Sequence, residues 1–97
     1  MKYRLLTAAL LVMREAAEFY EGRVVGLGGD FIMEVESAIS RILQFPDAWG
    51  RISANYRHCP LRRFPYSLVY TRESEGGLLI ISVFHQSREP RSWKRNL

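Results

Sequence analysis

The chain has 97 residues, 47% of them hydrophobic and 25% charged. That is globular usage in a length that holds a single small core, and it excludes a disordered chain or a second lobe. The net charge of +4 is unevenly placed: residues 1–50 carry five basic and seven acidic groups, residues 51–97 nine basic and three acidic. Eight of those nine are arginine, the side chain best matched to bidentate contact with carboxylate or phosphate. The second half is either a solvated basic surface or the seat of an anionic partner, an acidic protein segment or nucleic acid.

The single cysteine, Cys59, excludes an intramolecular disulfide and a cysteine-based zinc site, and it suits a cytoplasmic location. No stretch approaches the roughly 18–20 apolar residues of a membrane span. The short run from Leu10 to Met13 is broken by Arg14 and Glu15, so a helix is expected there rather than a signal peptide. Neither a metal nor a cofactor is expected. His58 beside Cys59 is a poor start for a metal site in a chain with two histidines and one cysteine.

In chain order, residues 2–6 alternate and suit a short strand. Residues 8–21 are helical, with Ala9, Met13, Ala16, Ala17 and Tyr20 on one face. Leu10, Leu11, Val12 and Phe19 lie off that stripe, so the helix is apolar around more than half its girth. Either the rest of the fold covers this surplus or another chain does. Residues 22–29 hold four glycines and are expected to break the helix. A second helix follows over 30–45, with Asp30 at its start, Phe31, Val35, Ala38, Ile39 and Ile42 on one face, and Pro46 at its end. So short a connection implies an antiparallel helical hairpin.

From Tyr56 onward the pattern is that of strands. Residues 56–64 alternate loosely, Pro65 marks a bend, and Tyr66, Leu68 and Tyr70 alternate with Ser67, Val69 and Thr71. Glu75, Gly76 and Gly77 form a turn, and residues 78–85 are an almost unbroken apolar run, as befits a central strand covered on both faces. Residues 88–97 form a short basic tail. The order β-α-α-β-β-β predicts one α+β domain over residues 1–97, a helical hairpin packed on a mostly antiparallel sheet.

Several segments resemble a known family. Glu18-Phe19-Tyr20-Glu21 followed by Gly26-Leu27-Gly28-Gly29-Asp30-Phe31 is similar to the first helix end and loop of ParE-type toxins, and Glu34-Val35-Glu36 with Phe45-Pro46 to their second helix and its stop. Arg62-Arg63-Phe64-Pro65-Tyr66-Ser67-Leu68-Val69-Tyr70, then His85-Gln86-Ser87-Arg88-Glu89-Pro90-Arg91-Ser92-Trp93, match the family pattern of arginines before Phe-Pro-Tyr and a closing His-Gln-x-Arg-x-Pro-x-x-Trp. Each motif is weak alone. Together, in order over nearly the whole chain, they resemble the RelE/ParE superfamily of type II toxin–antitoxin systems, also known as plasmid stabilisation proteins, and the ParE-like branch above all.

The resemblance implies a toxin neutralised by a co-expressed acidic antitoxin whose tail wraps the helical hairpin and the sheet, as a hetero-oligomer, with a homodimer as the form without antitoxin. Leu10, Leu11 and Phe19 would supply the apolar contact. Arg57, Arg62, Arg63, Arg72, Arg88, Arg91 and Trp93 would meet the antitoxin or the target. Two activities are implied by the two branches: inhibition of DNA gyrase without hydrolytic chemistry, or ribosome-dependent cleavage of messenger RNA. A third reading is a remnant that now only binds a partner.

Cleavage at a 2′-hydroxyl requires a base, an acid and cations for the phosphate. The ribonuclease branch places an arginine where this chain has Ser67, another where it has Gln86, and a tail tyrosine where it has Trp93. These departures favour the gyrase reading and a protein that is not an enzyme. The remaining catalytic candidates are His85 and Arg88. His85 is either a base near neutral pH or a hydrogen-bonded structural residue.

Overall fold

The computed structural model describes residues 2–87. The chain runs β1 (Tyr3–Leu5), α1 (Thr7–Arg23), α2 (Leu27–Gln44), β2 (Arg57–Pro60), β3 (Tyr66–Arg72) and β4 (Leu78–His85). The expected α+β order is observed. The four strands form one mixed sheet in the order β1-β4-β3-β2, with β1 parallel to β4 and the other pairs antiparallel.

The helical hairpin is tighter than its glycines suggest. Gly22 lies inside α1, Gly28 and Gly29 lie inside α2, and only residues 24–26 separate the helices. Packing overrides propensity here. A Cβ on Gly28 would stand 2.5 Å from the Ala17 carbonyl oxygen, so the missing side chain lets two backbones approach. Gly26 turns the chain with φ of 90°, a conformation that costs other L-residues. The Glu21 carboxylate then accepts the backbone N–H groups of Gly26 (2.9 Å) and Gly28 (3.0 Å). A side chain from α1 thus satisfies donors that the start of α2 leaves open and sits favourably against its dipole. Asp30, expected to start α2, falls within its first turn.

The core lies between the hairpin and one face of the sheet. From α2 it takes Phe31, Val35, Ala38, Ile39 and Ile42, the stripe read from the sequence, and from α1 Ala9 and Ala16. Leu68 and Tyr70 of β3 and Leu78, Ile80 and Val83 of β4 close it from below. At one end the rings of Tyr20, Phe31, Phe64 and Tyr66 pack edge to face or tilted, with centroids 4.8–6.4 Å apart. Such geometry suits the quadrupoles of aromatic rings.

The strand expected over 56–64 is shorter. Pro60 has no N–H to extend a ladder, and Leu61 turns back to bond Tyr66, which carries Phe64 into the core. Glu34 of α2 pins this turn by accepting the N–H groups of Arg62 (3.0 Å) and Arg63 (3.1 Å).

β4 is central and covered on both faces, as its apolar run implied. Its pairing with β3 shifts between Val69, opposite Ser82, and Tyr70, opposite Ile80. Ile81 is therefore the extra residue of a bulge. Ile80 and Val83 face the helices, whereas Ile81 joins Val69 in a second buried cluster on the far face, ringed by Leu6, Ile52, Tyr56, Leu79 and Phe84.

Candidate functional site

The residues singled out in the sequence fall into three places. The first is the end of β4. His85 stands opposite Tyr66 on β3, their rings 5.1 Å apart. The Ser87 N–H donates to His85 Nδ1 at 3.1 Å, and the Ser87 hydroxyl lies 2.7 Å from the same atom. An Nδ1 that accepts from a backbone amide carries no hydrogen in the neutral ring, so the hydrogen sits on Nε2. In this arrangement Nε2 is a donor rather than a base. Gln86 is held just as closely. Its backbone N–H donates to the Pro65 carbonyl at 2.8 Å, and its side-chain amide donates to the Tyr66 carbonyl (3.2 Å) and to Ser67 Oγ (3.3 Å). The two positions where the ribonuclease pattern has arginines are thus neighbours, joined by a neutral hydrogen bond.

The arginines of the β2–β3 hairpin do not form one patch. Arg62 and Arg63 lie in the turn, at the same end of β3 as Tyr66 and His85. Arg63 pairs with Asp30 at 3.6 Å and rests over the Phe64 ring. Arg57, opposite Tyr70, and Arg72 lie toward the other end of β3, about 14 Å and about 20 Å from Tyr66 at strand spacing. Arg57 donates to the Trp49 carbonyl at 2.8 Å, and Arg72 pairs with Asp47 at 3.0 Å. Arg88, Arg91 and Trp93 lie outside the described residues.

The third place is the outer side of the hairpin. Leu11 and Phe19 are 51% and 56% exposed, and Leu10 is half-buried. Phe19 carries the Arg23 guanidinium 4.9 Å above its ring. Val25 and Met33, which no pattern marked, are more exposed still.

Sequence reasoning missed two further groups. Arg51 and Asp47 stand beside Arg57, Tyr70 and Arg72 around one open cleft. The Tyr70 hydroxyl donates to the Pro46 carbonyl at 2.5 Å, and burial pushes its pKa up to about 12, so the phenol stays neutral. The second group is Arg41, which donates to the Pro60 carbonyl at 3.1 Å and lies against the Cys59 sulfur and the Trp49 ring. Its Nε and Nη1, and Trp49 Nε1, are buried and find no acceptor among the described residues. Arg41 follows the buried Ile39 and precedes Ile42, and no spacing rule marks it. Cys59 is fully buried, and desolvation pushes its thiol up from the ordinary range, which leaves little reactive thiolate.

Among the described residues no three histidine, cysteine or acidic side chains gather as a metal site. No described helix is long and apolar enough to cross a membrane.

A solved structure titled "Chromosomal ParDE TA system from P. aeruginosa" matches the chain with a TM-score of 0.73, covering 88% of this chain and 95% of that one. The fold is shared. At 14% identity the likeness is one of architecture: two helices packed on a four-stranded mixed sheet. No protein-family model matches the chain, and no curated protein matches it by sequence.

Proposed function

We propose that this chain is the toxin of a type II toxin–antitoxin module, neutralised by an acidic antitoxin, and that it arrests growth as a ParE-like inhibitor of DNA gyrase. The fold shared with a protein of a ParDE toxin–antitoxin system over nearly its whole length carries the toxin reading. In this reading the exposed Leu11 and Phe19 take the apolar side of the antitoxin, as an amphipathic segment seated on a helix face would. Arg62, Arg63, Arg88, Arg91 and Trp93 meet the target or the antitoxin tail.

The end of β4 supports the choice of gyrase over messenger RNA. Stabilising a pentavalent phosphate requires cations aimed at it. Here Ser67 and Gln86 bond to each other, and His85 spends Nδ1 on Ser87. What remains is a hydrogen-bonded set of side chains whose nearest described cations, Arg62 and Arg63, stand in the adjoining turn, Arg63 paired with Asp30, an arrangement better suited to binding than to hydrolysis.

The test is induction of the chain alone in a bacterial host. Growth arrest is expected, relieved by co-expression of a small acidic protein encoded beside it, with DNA-damage signalling ahead of any fall in translation. Normal growth with soluble expression would overturn the toxin reading. Early loss of translation, with message cut in the ribosomal A site, would replace gyrase inhibition with ribonuclease activity.

A further inference from the structure

A cleft around Arg51 brings three arginines together at one edge of the sheet. It opens between the α2–β2 segment and the end of the β2–β3 hairpin, with a volume of about 190 Å³, and is lined by Asp47, Arg51, Asn55, Arg57, Tyr70 and Arg72 among others. Three guanidiniums share one carboxylate.

The backbone makes the crowding specific. Arg51 and Arg57 are direct partners in an antiparallel bridge, and Arg57 is in turn the partner of Tyr70. Side chains opposite one another across a bridge share a face, and like charges so placed repel. Among the described residues nothing relieves this pair. Asp47 is engaged by Arg72 (3.0 Å), and the neutral Tyr70 hydroxyl is committed to the Pro46 carbonyl. Arg57 uses Nη1 on the Trp49 carbonyl, which fixes its plane and leaves its other N–H groups available. The Arg51 guanidinium has no partner among the described residues. An oxyanion between the two would turn repulsion into paired charge-assisted hydrogen bonds.

We propose that this cleft is a receptor for one aspartate or glutamate side chain of an acidic partner peptide. The proposal deepens the toxin reading by naming what the antitoxin must present at this edge of the sheet. A single carboxylate suits the cleft better than a nucleic-acid strand. Asp47, 71% exposed on its rim, would face a backbone that carries a charge at every phosphate, whereas one side chain can enter beside it.

The experiment titrates the purified full chain with the synthetic peptide acetyl-Glu-Glu-Leu-Glu-Glu-Leu-amide, with inorganic phosphate and a twelve-residue oligothymidylate as rival probes. Arg51→Gln is the test variant, since its guanidinium has no partner among the described residues and the substitution keeps a polar side chain of similar length. Saturable binding of the peptide is expected, weakened about tenfold or more by Arg51→Gln, with the Arg51 and Arg57 side-chain N–H resonances shifting in the parent. Equal peptide binding by parent and variant would overturn the receptor. So would Arg51-dependent binding of phosphate or oligothymidylate without the peptide, which would make it a phosphate site. A chain that arrests growth yet fails this titration loses the receptor and keeps the toxin reading. One that passes it without arresting growth keeps the receptor and loses the toxin.

Discussion

The two faces of the sheet are built by different rules. Toward the helices, fifteen buried residues form one cluster with an aromatic end. The opposite face buries the apolar Val69 and Ile81 together with the polar Ser67 and Ser82 within a ring of half-covered apolar groups, and it carries His58 beside them. A bulge at Ile81 allows one strand to serve both. The helix face buries the larger apolar cluster, and the strand ends are left for contacts that packing alone would not select. Surface that binds a partner must stay out of the core, and here the division falls within single strands.

Truncating one ring on each face tests this division most severely. Phe31 is fully buried and meets three other rings, so Phe31→Ala is expected to cost about 3–5 kcal/mol. Phe84, half-buried on the far face, should cost about 1–2 kcal/mol when cut to alanine. Urea denaturation of both variants gives the difference. Equal losses would mean that the far face is as much a core as the near one.

Both helices and all four strands were legible in the sequence, most plainly α2 and β4, which bury a stripe or a run at their own period. The α2 stripe from Phe31 to Ile42 and the unbroken run of β4 needed nothing beyond spacing. What spacing did not carry were effects of one element on another. Gly28 reads as a helix breaker until α1 is seen against it, and Glu21 reads as a surface charge until it caps α2. The same limit applies to the site. His85 and the hairpin arginines stood out by type, yet nothing in the chain order separates Arg62 and Arg63 from Arg57 and Arg72, or brings Arg51 to the latter pair.

Arg41 sharpens the comparison because it places a charge at the margin of the helix-side core. Two of its nitrogens are buried without an acceptor, and its one firm bond goes to an exposed carbonyl that water can serve instead. Replacing a partly buried cation, two of whose nitrogens lack an acceptor, by an apolar side chain of similar length removes the desolvation penalty and keeps the packing. Arg41→Met is therefore expected to stabilise the fold by about 1 kcal/mol, seen as a higher denaturation midpoint with an unchanged slope. A loss of stability would mean that an anion or ordered water compensates Arg41, and that the core margin is wetter than the rest.

The smallest effect is expected at the far end of the sheet, where Arg4 of β1 meets Glu73 just beyond β3. The hydrogen bond and charge of Arg4 hold the Glu73 carboxyl below its ordinary value of 4.5. A carboxyl depressed in the folded state favours folding above its unfolded value, and the contribution disappears as pH falls through the folded one. Stability should therefore decline below pH 4.5 a little more steeply in the parent than in Arg4→Ala, and the two should run parallel in that respect at neutral pH. The pair is exposed, 68% for Arg4 and 30% for Glu73, so salt should screen most of the difference. Melting curves from pH 3 to 7 at low and high salt provide the comparison. A difference that survives high salt would show that the β1 edge contributes as a structural clamp rather than through surface charge, and the contrast between core and periphery would have to be redrawn there.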